Sequence, residues 1–160
     1  MEKLWAPWRI KFIEEVDKSK CIFCEKPLQD KDEENYIIYR GKYTFLMMNI
    51  YPYNNGHLMV APYAHKTNLE DLNEEELLEM MKLSQLSVKA IKNKMNSSAL
   101  NLGLNLGKVA GAGFEHLHLH IVPRWPGDTN FMPVIGETKT ISEALERTYQ
   151  KLLAGIKEIR

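Results

Sequence analysis

The chain predicts an α+β domain: one antiparallel β-sheet with helices packed on one of its faces. Three observations carry that expectation. Five runs of β-branched, aromatic or alternating apolar residues are separated by short turns, a helical apolar repeat spans residues 73 to 95, and a second repeat begins near Thr140. With 160 residues, 44% of them hydrophobic, the chain can enclose one real core. No internal repeat, low-complexity tract or Gly/Ser linker divides it. We therefore expect a single domain over 1–160, with an N-terminal extension over 1–20 and a C-terminal helical extension over 138–160.

The first two strands, in "NYIIYR" and "YTFLMMN", are separated by Gly41-Lys42 and read as a hairpin. "PYNNG" is a turn, and "HLMVAP" a third strand ended by Pro62. Asn73 can cap the following helix, with Glu76 three residues on as in a capping box. Leu77, Met81, Val88, Ile91 and Met95 share one face of that helix and are its expected core side. After Asn96-Ser97-Ser98, "ALNLGLNLG" alternates strictly. Leu100, Leu102, Leu104 and Leu106 point one way, while Asn101, Gly103 and Asn105 point the other. The short glycine-rich "GKVAGAGF" makes the next strand, "EHLHLHIVPRW", its neighbour. A last helix, from near Thr140 with Glu143 three on, buries Leu145, Tyr149, Leu152, Leu153 and Ile156.

Charge narrows the function classes. Lys+Arg and Asp+Glu are both 21, a formal net charge of zero. A general nucleic-acid binder needs a basic field to displace counterions, so none is expected as partner. The start, "MEKLWAPWRIKFIEE", is too charged for a secretory signal, and no apolar run reaches the roughly 18 residues of a membrane span. A soluble, cytoplasmic protein with no membrane partner is expected.

The chemistry concentrates in the last strand. His116, His118 and His120 alternate with Leu117, Leu119 and Ile121, so the imidazoles share a face and the apolar residues turn to the core. If the leucine strand pairs beside it with leucines together, Asn101, Gly103 and Asn105 extend the same polar floor. Gly107, Gly111 and Gly113 allow backbone N–H groups to converge on an anion, which lets a neutral protein hold a phosphate. An imidazole is a competent nucleophile near pH 7 because its unperturbed pKa, about 6.5, leaves it mostly neutral. Attack on a nucleotide's α-phosphorus would split one hard displacement into two easier ones, with the central His118 best placed. Three same-face histidines could instead hold a catalytic metal, as in His₃ hydrolases. They could also be satisfied sheet residues without chemistry.

These motifs resemble a known family. "HLHLHIV" is similar to the signature of the histidine-triad (HIT) nucleotidyl hydrolases and transferases. "FLMMNIYPYNNGHLMVAPYAH" resembles the family's strand–turn–strand and "NLGKVAGAGFEH" its phosphate loop. "LWAPWR" at 4–9 and "PRWPGDTNFMPV" at 123–134 resemble the diadenosine tetraphosphate phosphorylase-like group. The resemblance implies a HIT-like fold and an enzyme cleaving dinucleoside polyphosphates through a nucleotidyl-His118 intermediate. Either phosphate (a phosphorylase) or water (a hydrolase) would be the acceptor. It implies that His120 contacts the phosphoryl and bridging oxygens and that His116 fixes the His118 ring through its backbone carbonyl. It further implies that Asn105 meets the α-phosphate, Asn49 the ribose and Ile50 the nucleoside. Gly111, Ala112 and Gly113 would form the loop around the phosphates, Trp125 would border the substrate, and His57 would support the triad from behind. Where family members often carry Ser or Gln in the loop, this chain has Ala112 and Gly113, leaving backbone donors only. A nucleotide-binding regulatory protein with little turnover, and a metal-dependent hydrolase, are the rival classes.

The two cysteines form "CIFC", Cys21 and Cys24. By themselves they could be a redox pair, a metal half-site or two buried thiols. The resemblance implies that they join His65 and His116 in a closed structural Zn²⁺ site. It also implies a homodimer, and no organic cofactor.

Overall fold

The computed structural model describes residues 20–128 and 143–160. The expected segments 4–9 and 129–134, and the helix start at Thr140, lie outside those residues. Five strands form one antiparallel sheet in the order β1-β2-β3-β5-β4. They are β1 (Ile37–Arg40), β2 (Thr44–Met48), β3 (Leu58–Pro62), β4 (Ala99–Leu104) and β5 (Leu119–Arg124). Among the described residues three α-helices accompany it: the short α1 (Ile22–Glu25), the long α2 (Glu74–Met95) and α3 (Leu145–Ile159). The α+β expectation holds, as does the β1–β2 hairpin.

The sheet separates two clusters, and strand alternation decides which residue joins which. Leu46, Met48, Leu58, Val60, Leu117, Leu119 and Ile121 face α2 and α3, where Leu83, Ile91, Tyr149, Leu152 and Ile156 complete the core. Phe45, Met47, Met59 and Ala61 point the opposite way and meet Phe23 of α1. The second face therefore has far fewer partners, and the site is built on it.

Helix α2 begins as expected: Asn73 accepts from the Glu76 amide, and the Glu76 side chain returns to the Asn73 amide, a complete capping box. Its buried stripe differs from the expected one. Leu77 and Met81 are 38% and 55% exposed, whereas Met80, Leu83, Ser84, Ser87, Ala90 and Ile91 are buried. The reason is close helix packing through small residues. A Cβ on Gly155 of α3 would lie 2.8 Å from Lys94 Cγ and 3.4 Å from Ala90 Cβ, so the helices meet where side chains are short. Ser84 and Ser87 tolerate burial by donating to the carbonyls of Met80 and Leu83, at 2.8 and 2.7 Å. Counting large apolar residues cannot detect a contact made by alanine and glycine.

Glu79, on the same helix, closes the β1–β2 hairpin. Its carboxylate accepts from the amides of Lys42, Tyr43 and Thr44 and from the Thr44 hydroxyl. Those amide bonds outweigh the opposing effect of burial and hold its pKa below the usual carboxylate value. Gly41 is required there, because any Cβ would sit 2.7 Å from the Glu79 carboxyl group and from the Thr44 carbonyl oxygen.

Helix α3 starts at Leu145 with Ala144 as its cap residue. Glu143 accepts from the Thr148 hydroxyl and pairs with Lys151. Tyr149, Leu152 and Ile156 are fully buried as expected, with Leu145 and Leu153 packed partly against them.

Candidate active site

β4 and β5 pair with Leu102 opposite Ile121, Leu104 opposite Leu119 and Gly103 opposite His120. The leucines do lie together, which leaves the histidine side of β5 on the thinly covered face. The three histidines are not all in the strand, however. β5 starts at Leu119, so His120 alone is a strand residue, and His116 and His118 lie on the approach to it. The Leu117 amide donates to the Lys66 carbonyl at 2.6 Å and ties that approach to the segment after β3.

Each imidazole has its own task. The His118 Nδ1–H donates to the His116 carbonyl at 2.6 Å, so its lone pair is on Nε2. Burial pushes the His118 pKa below 6.5, with the carbonyl bond opposing, and the ring is neutral near pH 7. Its face stacks on Phe23, ring centroids 4.6 Å apart and planes 24° from parallel. His120 is oriented from behind by His57, which is fully buried. The Tyr53 amide donates to His57 Nδ1 at 3.1 Å, so His57 carries its proton on Nε2, 2.9 Å from His120 Nδ1. His120 accepts that bond at Nδ1, which puts its own hydrogen on Nε2, 3.4 Å from the Asn105 amide nitrogen; the carboxamide must present its oxygen there to accept it. A buried backbone amide thus sets the tautomer of the ring two places away.

His118 and His120 line a cavity of about 260 Å³ with Ile22, Phe23, Asn49 and Ile50 among its walls. That is just below the ~300–1,000 Å³ typical of small-molecule sites. Asn49 sits at the wall, its carboxamide oxygen accepting from the Tyr51 amide at 2.9 Å. Gly111 and Gly113 reach the cavity; Ala112 is not among its lining residues. Positive φ at Gly107 (82°) and Gly111 (93°) bends the loop back on itself. The Gly111 and Ala112 amides then donate inside the loop, to Lys108 and Gly107. Expecting all three loop residues to aim their amides outward overlooks this internal turn.

The resemblance implies that Trp125 borders the substrate. Trp125 does not line the cavity; its indole N–H donates to the Met95 carbonyl at the end of α2, at 3.2 Å. An aromatic one residue beyond a strand has left the pleat that would aim it at the site. Sequence reasoning also missed Phe23, Lys26, Tyr53 and Phe114, which all line the cavity. The one available signal was that Phe23 lies between two candidate metal ligands. Lys26 brings a cation whose pKa burial pushes down.

Cys21, Cys24, His65 and His116 converge, with one donor atom from each within 4.8 Å of the others. Cys21 Sγ and Cys24 Sγ lie 3.3 and 3.5 Å from His116 Nδ1, and Cys24 Sγ is 3.3 Å from His65 Nδ1. Sulfur and nitrogen ligands on a tetrahedral zinc are about 3.6 Å apart, so this donor set fits. His116 Nε2 donates to the Pro62 carbonyl at 2.9 Å, which frees Nδ1 for a metal. Burial lowers the His116 pKa to about 4, so that nitrogen is unprotonated and available. Burial and the neighbouring Cys21 raise the Cys24 thiol to about 11, so a metal must displace its proton. Among the described residues this is the one group of three or more potential ligands. The three triad rings turn to different partners and do not jointly face a metal position, which removes the support for a His₃ catalytic centre.

Comparison with known proteins agrees with this geometry. A family model of the HIT domain matches residues 30–127. An AP-4-A phosphorylase from Mycobacterium tuberculosis is 40% identical over 163 residues, 96% of this chain and 83% of that protein. A bis(5'-adenosyl)-triphosphatase from Saccharomyces cerevisiae is 33% identical over 90 residues, 56% of this chain and 44% of that protein. The crystal structure of a Zn-bound histidine triad family protein from Mycobacterium smegmatis superposes with a TM-score of 0.71. The two are 26% identical, over 89% of this chain and 96% of that one.

Proposed function

This chain belongs to the HIT domain family, and from that premise we propose that it cleaves dinucleoside polyphosphates, diadenosine tetraphosphate first among them, through a nucleotide bound covalently to His118. The observation that carries the reading is the His118 ring. Its Nδ1–H is held by a backbone carbonyl, its pKa is below 6.5, and it lines the cavity, so a neutral Nε2 lone pair is available for attack.

In the first step His118 Nε2 forms a bond to the α-phosphorus while the bond from phosphorus to the bridging oxygen breaks. ATP leaves from diadenosine tetraphosphate, and adenylate stays on the ring. The His116 carbonyl stabilises the positive charge that develops at Nδ1–H. His120, its proton fixed on Nε2 by His57, donates to phosphoryl and bridging oxygens, with Asn105 beside it. Gly111 and Gly113 admit the phosphates close to backbone, Asn49 meets the ribose, and the nucleoside lies against Ile50, Ile22 and Phe23. In the second step an acceptor oxygen attacks the same phosphorus and the P–N bond breaks. Phosphate as acceptor yields ADP; water yields AMP and a proton.

Similarity to the M. tuberculosis AP-4-A phosphorylase favours phosphate. Chromatography of the products with and without phosphate tests this. ADP formed only with phosphate is the expected result, and AMP plus ATP in both samples makes the enzyme a hydrolase. A binding protein with little turnover has no need of an aligned nucleophile, and it is the reading left if no turnover occurs.

Zinc is the metal that two thiolates and two imidazoles suit, and when bound it supplies fixed positions for its ligands. Cys21, Cys24, His65 and His116 would hold it. We place the protein in the cytoplasm as a homodimer. Among the described residues, no helix is long and apolar enough to cross a membrane. β4 is a sheet edge, and Leu102 on it and Leu77, Leu78 and Met81 on α2 are exposed apolar residues that a second copy would cover. Sedimentation at micromolar concentration should give twice the mass of the chain, and a monomer would refute the dimer.

A further inference from the structure

Phe23 lies between Cys21 and Cys24 on a helix of four residues, Ile22–Glu25. It is 1% exposed, and its ring is sandwiched by site residues: His118 at 4.6 Å, His116 at 5.3 Å and Phe114 edge-on at 6.0 Å. So short a helix cannot hold its own conformation in water. The two ends of α1 are fixed by the cysteines, which face His65 and His116. His118 in turn is held by the His116 carbonyl and by the Phe23 face, with the His120 ring edge-on to it at 4.6 Å. The carbonyl and the Phe23 face both lead back to the four-ligand cluster, whereas His120 is held by His57.

We propose that Phe23 is a positioning residue for His118, transmitting occupancy of the Cys21–Cys24–His65–His116 cluster to the alignment of the attacking ring. The proposal rests on the reading of His118 as nucleophile and of the cluster as a zinc site. The metal takes no part in the reaction. With it bound, α1 is clamped at both ends and Phe23 presses the imidazole into one orientation about its Nδ1–H bond. Without it, the thiols are free to part, Phe23 withdraws, and His118 keeps its hydrogen bond but loses the flat surface that sets its tilt. Because Nε2 must point at phosphorus along the line of the departing oxygen, a small tilt slows the chemical step rather than binding. The protein is then an enzyme whose rate reports metal supply although its chemistry is metal-free.

Four proteins test this: wild type, Phe23→Leu, Phe23→Tyr and Ile22→Ala. Ile22 lines the same cavity from the same helix but is not in ring contact with His118. Zinc content and thermal melting establish that each variant is folded and loaded. Phe23→Leu should retain zinc yet lower kcat by about 10–100-fold, with a smaller change in KM. Phe23→Tyr keeps the ring and should restore most of kcat, whereas Ile22→Ala should raise KM more than it lowers kcat. The non-catalytic readout is the proton spectrum of the His118 ring. In the zinc-loaded wild type its carbon-bound protons should be shifted upfield by the Phe23 face, and chelation should move them to the positions seen in Phe23→Leu. Wild-type kcat in zinc-loaded Phe23→Leu, or His118 signals indifferent to chelation, would overturn the proposal alone. Absence of any nucleotidyl adduct in the wild type would instead overturn the proposed function, and a wild type that takes up no zinc would remove the metal link.

Discussion

The two faces of the sheet are held in different ways. On the helix side, Leu46, Leu58, Val60, Ile121, Ile91 and Leu152 are fully buried, each supported by several others. On the site side the buried cluster is smaller, and order comes from a few directed interactions: the His116 carbonyl and the Phe23 face for His118, the His57 imidazole for His120, one four-ligand cluster for α1. The first face gains its stability from area and tolerates the loss of any one contact in kind. The second gains geometry from a few directed contacts to particular groups. A catalytic face needs groups held in one orientation, and polar bonds to backbone accomplish that where apolar packing does not.

Mutations should separate the two faces. Leu152→Ala, deep in the helix-side core, should cost about 3 kcal/mol of stability while leaving kcat within about twofold; a large fall in kcat in still-folded protein would break the distinction. On the other face, Cys24→Ser, or zinc removal by a chelator, should cost about 2–3 kcal/mol, seen as a melting temperature lower by several degrees, and should lower kcat as well. An unchanged melt together with no zinc by elemental analysis would refute the metal site. The smallest effect is expected at Glu79, whose bonds join α2 to the β1–β2 turn. Glu79→Gln should cost about 1–2 kcal/mol at pH 7. Since the folded-state pKa of Glu79 is depressed, its contribution is present above the unfolded carboxylate value and lost as pH falls through the folded one. The difference between wild type and Glu79→Gln should accordingly shrink in acid, and a constant difference across pH would contradict the assignment.

The comparison also explains what could be read from the sequence. Strands, the hairpin, the capping box at Asn73 and the same-face histidines follow from periods and cap chemistry, which are local properties. The pairing of Leu102 and Leu104 with Ile121 and Leu119 followed from matching two alternating strands. Long-range packing was not legible. The Ala90–Gly155 contact uses residues too small to score as core, and the Trp125 indole is bonded to the end of α2. His57 was placed correctly behind the triad, but its effect on the His120 proton depends on a Tyr53 amide that no pattern reveals. Phe23 shows no pattern of its own in the sequence, because its contact with His118 joins residues 95 positions apart.

One observation bears on the whole account. Radiolabelled diadenosine tetraphosphate mixed briefly with enzyme, quenched in alkali to preserve a phosphoramidate and digested for mass spectrometry, reports where the nucleotide resides. The account predicts an adenylate mass on the peptide carrying His118 in wild type and none in His118→Ala, with turnover at least about a thousandfold lower in the variant. Turnover by wild type with no label on any histidine, or undiminished turnover by His118→Ala, would contradict it.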